Sequence, residues 1–141
     1  MAPTSINGID HIGLLVRDIE QSLDFFTKQL GFTLLGDEIT AASGGVRLVY
    51  LDAGNVTLQL ISPTGATGLI ADHLSTHGEG LHHMCLAVDD IDRSIAELAP
   101  ASNVEVVVGG RGRRTAFLPD RPGGLMLELT EGATFVPQGT D

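Results

Sequence analysis

Apolar residues recur along the chain with two different spacings, and the first clear change marks a helix. Asp18 stands where a helix N-cap is favoured, and Gly31 stands at the position that commonly ends a helix. Between them the apolar residues recur every three to four positions, as on one helical face, at Ile19, Leu23, Phe26 and Leu30. The pattern predicts a helix from Asp18 to Leu30.

Short apolar runs bounded by turn residues predict the strands. In the first half of the chain they fall at 9–16, 32–39, 46–51 and 55–62. A second helix is predicted from Asp90 to Leu98, with strands at 80–88, 104–109, 113–118 and 125–130. Each half therefore has the order βαβββ. Between the halves, a linker rich in turn residues precedes a short helical segment around Leu69, Ile70 and Leu74.

The start of the second half repeats the start of the first. One offset of 72 residues matches six pairs, which are His11 with His83, Val16 with Val88, Asp18 with Asp90, Ile19 with Ile91, Ser22 with Ser94 and Leu23 with Ile95. In both copies a histidine opens a strand and an aspartate caps the helix that follows it. A duplicated module can bring equivalent residues together about a pseudo-twofold axis, so His11 and His83 can face one another.

Length and charge limit the class of protein. The chain of 141 residues fits one compact domain, for which we expect module one at 7–62, a linker at 63–77, module two at 78–131 and a polar tail at 132–141. A net charge of −10 argues against nucleic-acid binding. No apolar run reaches the length of about 18 residues that spans a bilayer, and the amino terminus does not have the pattern of a signal peptide. With the single cysteine Cys85, a cytoplasmic location is expected.

Four of the eight basic residues fall within eleven positions, at Arg111, Arg113, Arg114 and Arg121. Such an island on an acidic chain can mark a local anion site. The arginines can equally well decorate an exposed hairpin, and the sequence leaves both interpretations open.

Each half also ends on an apolar strand with one polar residue in its middle, Gln59 in the first and Glu128 in the second. A carboxamide or carboxylate among leucines is costly to bury unless a partner satisfies it, and a cation would do so. Together with His11 and His83, these residues offer two nitrogen and two oxygen donors, which suit a divalent first-row metal. A histidine on a strand is more often a hydrogen-bonded core residue, and Gln59 can pair with backbone, but four such residues at repeat-equivalent positions favour a metal site.

These residues, in paired βαβββ modules, resemble the vicinal oxygen chelate superfamily, which includes glyoxalases, bleomycin resistance proteins and extradiol dioxygenases. Within it the methylmalonyl-CoA epimerase subfamily is most similar. The resemblance covers about residues 7 to 131, and its most specific stretches are Gly78-Glu-Gly-Leu-His-His83, the Gly54-Asn55 to Gln59-Leu60 strand, Phe117-Leu118, and Gly124-Leu125 with Glu128-Leu129.

The resemblance implies an α+β fold in which two βαβββ modules form an open, cupped mixed sheet. It also implies a divalent metal ion, such as cobalt, manganese, nickel, zinc or iron, held by His11, Gln59, His83 and Glu128. The substrate would be a small molecule with two neighbouring oxygens, such as an acyl-CoA, and the reaction an epimerisation by proton transfer next to the carbonyl. Arg111, Arg113 and Arg114 would be candidates for the CoA phosphates, and a homodimer is expected.

One departure from the subfamily lies at an acid/base position. The epimerases carry a glutamate where this chain has Ser43, and a serine hydroxyl is too weak an acid or base to replace it. Glu38 is then the candidate base, with Glu128 as the other catalytic carboxylate. The change also leaves room for a glyoxalase or lyase reaction on another small molecule, or for a drug-binding resistance protein without catalysis.

Overall fold

The computed structural model describes residues 5–40, 45–109 and 111–132, with the side chains of 38–40 left out of the description. These residues contain eight strands and three α-helices. The first half holds β1 (Ile6–Leu15), α1 (Ile19–Asp24), β2 (Thr33–Thr40), β3 (Val46–Asp52) and β4 (Thr57–Pro63), followed by α2 (Leu69–His77). The second half holds β5 (Gly80–Val88), α3 (Ile91–Leu98), β6 (Val107–Val108), β7 (Arg114–Phe117) and β8 (Met126–Glu131). The predicted βαβββ order is confirmed in both halves.

The capping aspartates of the repeat start both module helices. The Asp18 carboxylate accepts a hydrogen bond from the Gln21 backbone N–H at 3.0 Å, and Asp90 accepts one from the Arg93 N–H at 3.1 Å. The first helix departs from the prediction after Asp24, where Phe25–Gln29 continues as a π-helical turn. Gly31 follows with φ 77°, a left-handed conformation that glycine adopts without strain.

The chain forms two compact units whose boundary falls inside β1 and β5. One unit runs from Ile12 to His82, and there β3 pairs antiparallel with β2 and with β4. Alternate residues of its strands face two separate apolar clusters. Val49, Leu51 and Leu60 pack with Ile19 of α1, while Leu48, Tyr50 and Ile61 pack with Leu74 of α2.

The other unit combines the residues up to His11 with those from His83 onward. Its strand order is β5, β8, β7, β6, with the first part of β1 beside β5. β5 and β8 run parallel, whereas β8 and β7 run antiparallel, so the α+β class with a mixed sheet is confirmed. The core on one face contains Val88, Ile91, Ala116 and Leu129. Residues that alternate with these point to the opposite face, and that face carries the polar side chains of interest.

The second module differs from the prediction at β6, which has two residues rather than six. Val104 and Val106 pack against the core beside α3, but they lie outside the strand. Among the described residues, no helix is long and apolar enough to cross a membrane.

Candidate metal centre

Three predicted ligands converge on the face opposite α3. His11 lies in β1, His83 in β5 and Glu128 in β8. The parallel register sets Cys85 opposite Glu128, so the side chains of His83 and Glu128 share a face. The chain thus places two imidazoles and a carboxylate on three strands of one compact unit, as the repeat predicted for the two histidines.

The donor atoms of these residues are mutually close. His11 Nε2 lies 3.1 Å from His83 Nε2 and 3.4 Å from Glu128 Oε1, and His83 Nε2 lies 3.2 Å from the same oxygen. Two ligand atoms that each lie about 2.1 Å from the same ion are about 3.0 Å from each other when they subtend a right angle at the ion. They are about 3.4 Å from each other when the coordination is tetrahedral. The three separations fall in that interval, so these residues fit a first-row divalent metal ion. The side chains are nearly enclosed, with exposed fractions of 5%, 4% and 13% for His11, His83 and Glu128.

Burial and hydrogen bonding act in opposite directions on the charges of this cluster. Burial raises the pKa of Glu128, but hydrogen bonds from His11 and His83 outweigh it and lower the pKa to about 2. Burial lowers the pKa of His11, but its bonds to Asp10 and Glu128 prevail and leave that pKa raised. Glu128 is therefore ionised at neutral pH, and the cluster favours positive charge beside it.

Asp10 completes the cluster, although the sequence interpretation did not include it among the site residues. Its Oδ2 lies 2.8 Å from His11 Nδ1, the ring nitrogen that faces away from Glu128. Arg111 and Arg113 both pair with this carboxylate. Burial raises the pKa of Asp10, but the bond to His11 and the arginine charges lower it overall. The signal available in the sequence was the Asp-His dipeptide at the start of an apolar run.

Cys85 lies beside the cluster. Its sulfur is within 4.8 Å of ligand atoms of Asp10 and His11. Burial, followed by the nearby charges of Glu128 and Asp10, raises the pKa of this thiol well above its usual range. Cys85 is therefore a neutral buried thiol at physiological pH.

Gln59, the fourth predicted ligand, lies in the unit that runs from Ile12 to His82. It stands opposite Tyr50 in the β3–β4 ladder, and its Nε2 donates to the Tyr50 hydroxyl at 2.9 Å. Its Oε1 is buried and has no hydrogen-bond partner among the described residues. A buried amide oxygen without a partner is costly, so this atom needs a ligand, a water or a cation.

The remaining predicted site residues fall into two groups. Arg114, the third arginine proposed for CoA phosphates, pairs with Asp92 and Glu131 rather than with Asp10. For the catalytic carboxylates, the backbone of Glu38 lies in β2, but its side chain falls outside the described residues, as does all of Ser43. The phosphate-binding role of the arginines and the acid/base role of Glu38 stay predictions.

Comparison with known proteins decides the family. A model of the glyoxalase/bleomycin resistance protein/dioxygenase superfamily matches residues 10–117. The chain belongs to this superfamily. Members of this superfamily generally bind divalent metals, and the ligand atoms of His11, His83 and Glu128 lie close enough together here that they could hold such an ion.

Relatives within the superfamily include epimerases. The chain is 28% identical over 133 residues to the mitochondrial methylmalonyl-CoA epimerase of Bos taurus. The aligned region covers 90% of this chain and 75% of that protein. Methylmalonyl-CoA epimerase from Mycobacterium tuberculosis has a similar structure, with 28% identity, a TM-score of 0.80 and coverage of 94% and 93% of the two chains. A Streptomyces coelicolor methylmalonyl-CoA epimerase variant in complex with 2-nitronate-propionyl-CoA has 28% identity, a TM-score of 0.82 and coverage of 92% and 99%. The predicted fold and superfamily are confirmed.

Proposed function

We propose that this chain is a metal-dependent epimerase that moves a proton at the carbon next to the thioester carbonyl of an acyl-CoA such as methylmalonyl-CoA. The observation that carries the proposal is the convergence of His11 Nε2, His83 Nε2 and Glu128 Oε1 within 3.1–3.4 Å of one another. Similarity to epimerases over about nine-tenths of the chain supports the reaction class.

The ligand set explains how the protein would favour such a reaction. When bound, a divalent ion would neutralise the negative charge that develops on the thioester oxygen as the α-proton leaves. His11, His83 and Glu128 would hold that ion, and Gln59 Oε1 is the proposed fourth ligand because it is buried and has no hydrogen-bond partner in the part of the chain that the structure describes. The enclosure of these side chains keeps water away and so strengthens their electrostatic effect.

The proton transfers need an acid and a base on opposite faces of the α-carbon. One group takes the proton from that carbon, and the other returns a proton from the far side, which inverts the centre. Glu38 is our candidate for the base, because Ser43 cannot serve at the position where the related epimerases carry glutamate. The ionised Glu128 carboxylate supplies negative charge to the ion rather than an acidic proton, since its pKa is about 2.

Exchange of the substrate's α-proton tests the proposal. Purified protein loaded with Co²⁺ is incubated with methylmalonyl-CoA in deuterated water, and deuterium incorporation is followed by mass spectrometry. We expect exchange that needs the metal and is lost in His83→Ala. The matched control is His77→Ala, which removes an exposed histidine from α2 and is expected to leave exchange unchanged. No exchange with methylmalonyl-CoA, ethylmalonyl-CoA or related dicarboxylic acyl-CoA esters would contradict the proposal.

A second metal-dependent reaction is favoured by Ser43 itself. Without a carboxylate there, the same metal centre would suit a lyase or a glyoxalase-like isomerisation on a smaller molecule. Turnover of the glutathione hemithioacetal of methylglyoxal, with no exchange on acyl-CoA esters, would select this candidate. Tight binding of a small molecule without turnover would instead support the drug-binding class.

A further inference from the structure

Asp10 is a buried carboxylate that contacts three described side chains of its own unit, those of His11, Arg111 and Arg113. Its Oδ2 contacts His11 Nδ1 at 2.8 Å and also pairs with Arg111, while its Oδ1 accepts from Arg113 Nη1 at 3.1 Å. Only 9% of the Asp10 side chain is exposed, against 27% and 31% for the two arginines. The arginines thus reach over Asp10 from the loop before β7 and leave little of the carboxylate in solvent.

This arrangement determines which nitrogen of His11 carries its proton. An ionised carboxylate can only accept hydrogen bonds, so the 2.8 Å contact with Asp10 Oδ2 favours the tautomer of neutral His11 that carries its proton on Nδ1. Arg111 Nη2, which can only donate, also lies 3.3 Å from Nδ1, but this contact is longer than the one with the carboxylate. The lone pair is then on Nε2, which is the nitrogen that lies 3.1 Å from His83 and 3.4 Å from Glu128. A carboxylate behind a metal-ligating histidine fixes both its tautomer and its orientation.

We infer that Asp10, held in place by Arg111 and Arg113, is a positioning residue that keeps Nε2 of His11 available to a divalent first-row metal ion. The inference rests on the proposed metal centre. It gives Arg111 and Arg113 a role in metal binding that needs no CoA, because their charges neutralise the buried Asp10 carboxylate and hold it against the imidazole.

The neighbouring Arg114 provides a matched control. It is the next residue after Arg113, but it pairs with Asp92 and Glu131 rather than with Asp10. If the arginines acted on the ion only through net charge, replacing Arg114 would have the same effect as replacing Arg113. If Asp10 transmits their effect, only Arg113 and Arg111 matter.

The experiment is calorimetric titration of the metal-free protein with Co²⁺ in the absence of any CoA compound. Asp10→Asn is expected to bind Co²⁺ about 10–100-fold more weakly than the natural chain, because an amide N–H facing Nδ1 favours the wrong tautomer. Arg113→Gln is expected to weaken binding several-fold, Arg113→Lys to restore much of it, and Arg114→Gln to change nothing. Long-range ¹H–¹⁵N spectra of the metal-free protein at alkaline pH should place the His11 proton on Nδ1, and Asp10→Asn should move it to Nε2.

The outcomes separate this inference from the proposed function. Unchanged Co²⁺ affinity in Asp10→Asn and Arg113→Gln, with loss in His83→Ala, would overturn the role of Asp10 and leave the metal centre intact. Absence of Co²⁺ binding by the natural chain, or normal binding by His83→Ala, would overturn the metal centre itself. If Asp10→Asn does not fold, as judged by thermal unfolding, the partly exposed Arg113 decides the question through the Arg113→Gln and Arg113→Lys pair. Equal losses in Arg113→Gln and Arg114→Gln would also contradict the inference.

Discussion

The Nε2 atoms of His11 and His83 lie 3.1 Å apart, although the two residues are 72 positions apart in the chain. Two lone pairs at this distance repel each other unless a proton or a metal ion lies between them. The negatively charged Glu128 carboxylate places its Oε1 within 3.4 Å of both nitrogens. These three groups therefore form a site that favours a positive charge. Four predictions concern this site and the apolar core beneath it.

Replacing Glu128 by glutamine is expected to remove one source of acid sensitivity. The folded pKa of about 2 lies below the ordinary value of 4.5, so ionised Glu128 stabilises the metal-free protein above about pH 4.5. That stabilisation is lost as the pH falls towards 2. The melting temperatures of the natural chain and Glu128→Gln should thus differ most at neutral pH and converge in acid.

Thermal unfolding of both metal-free proteins between pH 7 and pH 3 measures this effect. Glu97→Gln is the control, since it removes a carboxylate that pairs with Arg93 on the surface of α3. A difference between the natural chain and Glu128→Gln that stays constant across the range would contradict the prediction.

Metal binding is expected to strengthen as the pH rises, because His11 must lose a proton to bind the ion. The pKa of His11 is raised above 6.5 by its bonds to Asp10 and Glu128, despite burial. Below that pKa, each ion bound should release one proton from His11, and above it none. The same raised pKa means that protonated His11 stabilises the metal-free protein below pH 6.5, and this contribution is lost as the pH rises through the folded pKa.

Calorimetric titrations with Co²⁺ in two buffers of different ionisation enthalpy count the released protons at each pH. Proton release that does not decline between pH 6 and pH 9 would show that His11 does not titrate as expected.

Variants of Gln59 and of its partner Tyr50 test whether Gln59 binds the metal ion or only supports the surrounding structure. Gln59→Ala removes Oε1, which has no hydrogen-bond partner within residues 5–40, 45–109 and 111–132. If that oxygen binds the ion, Co²⁺ affinity should fall at least about 10-fold. Tyr50→Phe removes only the hydroxyl that accepts a hydrogen bond from Gln59 Nε2, so Co²⁺ affinity should fall by no more than about 3-fold. Equal affinity in Gln59→Ala and the natural chain, with a lowered melting temperature, would assign Gln59 a purely structural role.

Leu129→Ala is expected to destabilise the unit that carries the metal ligands. Leu129 is fully buried among Val88, Ile91 and Ala116, and truncation of such a side chain costs about 2–5 kcal/mol. Val108→Ala is the control, because Val108 is 68% exposed and surface changes stay within about 0.5 kcal/mol. Urea unfolding gives both values, and similar values for the two variants would contradict the assignment of this core.

Local chemistry made much of the fold predictable. Asp18 and Asp90 cap the two module helices because a short carboxylate reaches a backbone N–H three residues ahead, and that bond needs no other part of the chain. The repeat and the strand alternation were also enough to place His11 and His83 as candidate ligands. The predicted strand at 104–109 was wrong for most of its length, because pairing with β7 covers only Val107–Val108.

The partners of the arginines could not be predicted in the same way. The cluster of arginines in the sequence suggested a phosphate-binding site. In the structure Arg111 and Arg113 pair with Asp10, which is 101 and 103 positions away in the chain. Neither hydrophobic spacing nor charge clustering carries information about a contact at that separation. The Asp10 carboxylate behind His11 was missed for the same reason, since its role depends on what is packed around it.

The sequence by itself determined the two βαβββ modules, the capping residues and the identity of the metal-ligand candidates, because these depend on spacing along a chain whose backbone geometry has fixed periods. Only the tertiary structure decided that His11, His83 and Glu128 meet, that Asp10 lies behind His11, and that two arginines serve this carboxylate. Those facts arise when distant strands align in one sheet and buried charges must find partners, and the free energy of that pairing is a property of the packed chain rather than of any segment.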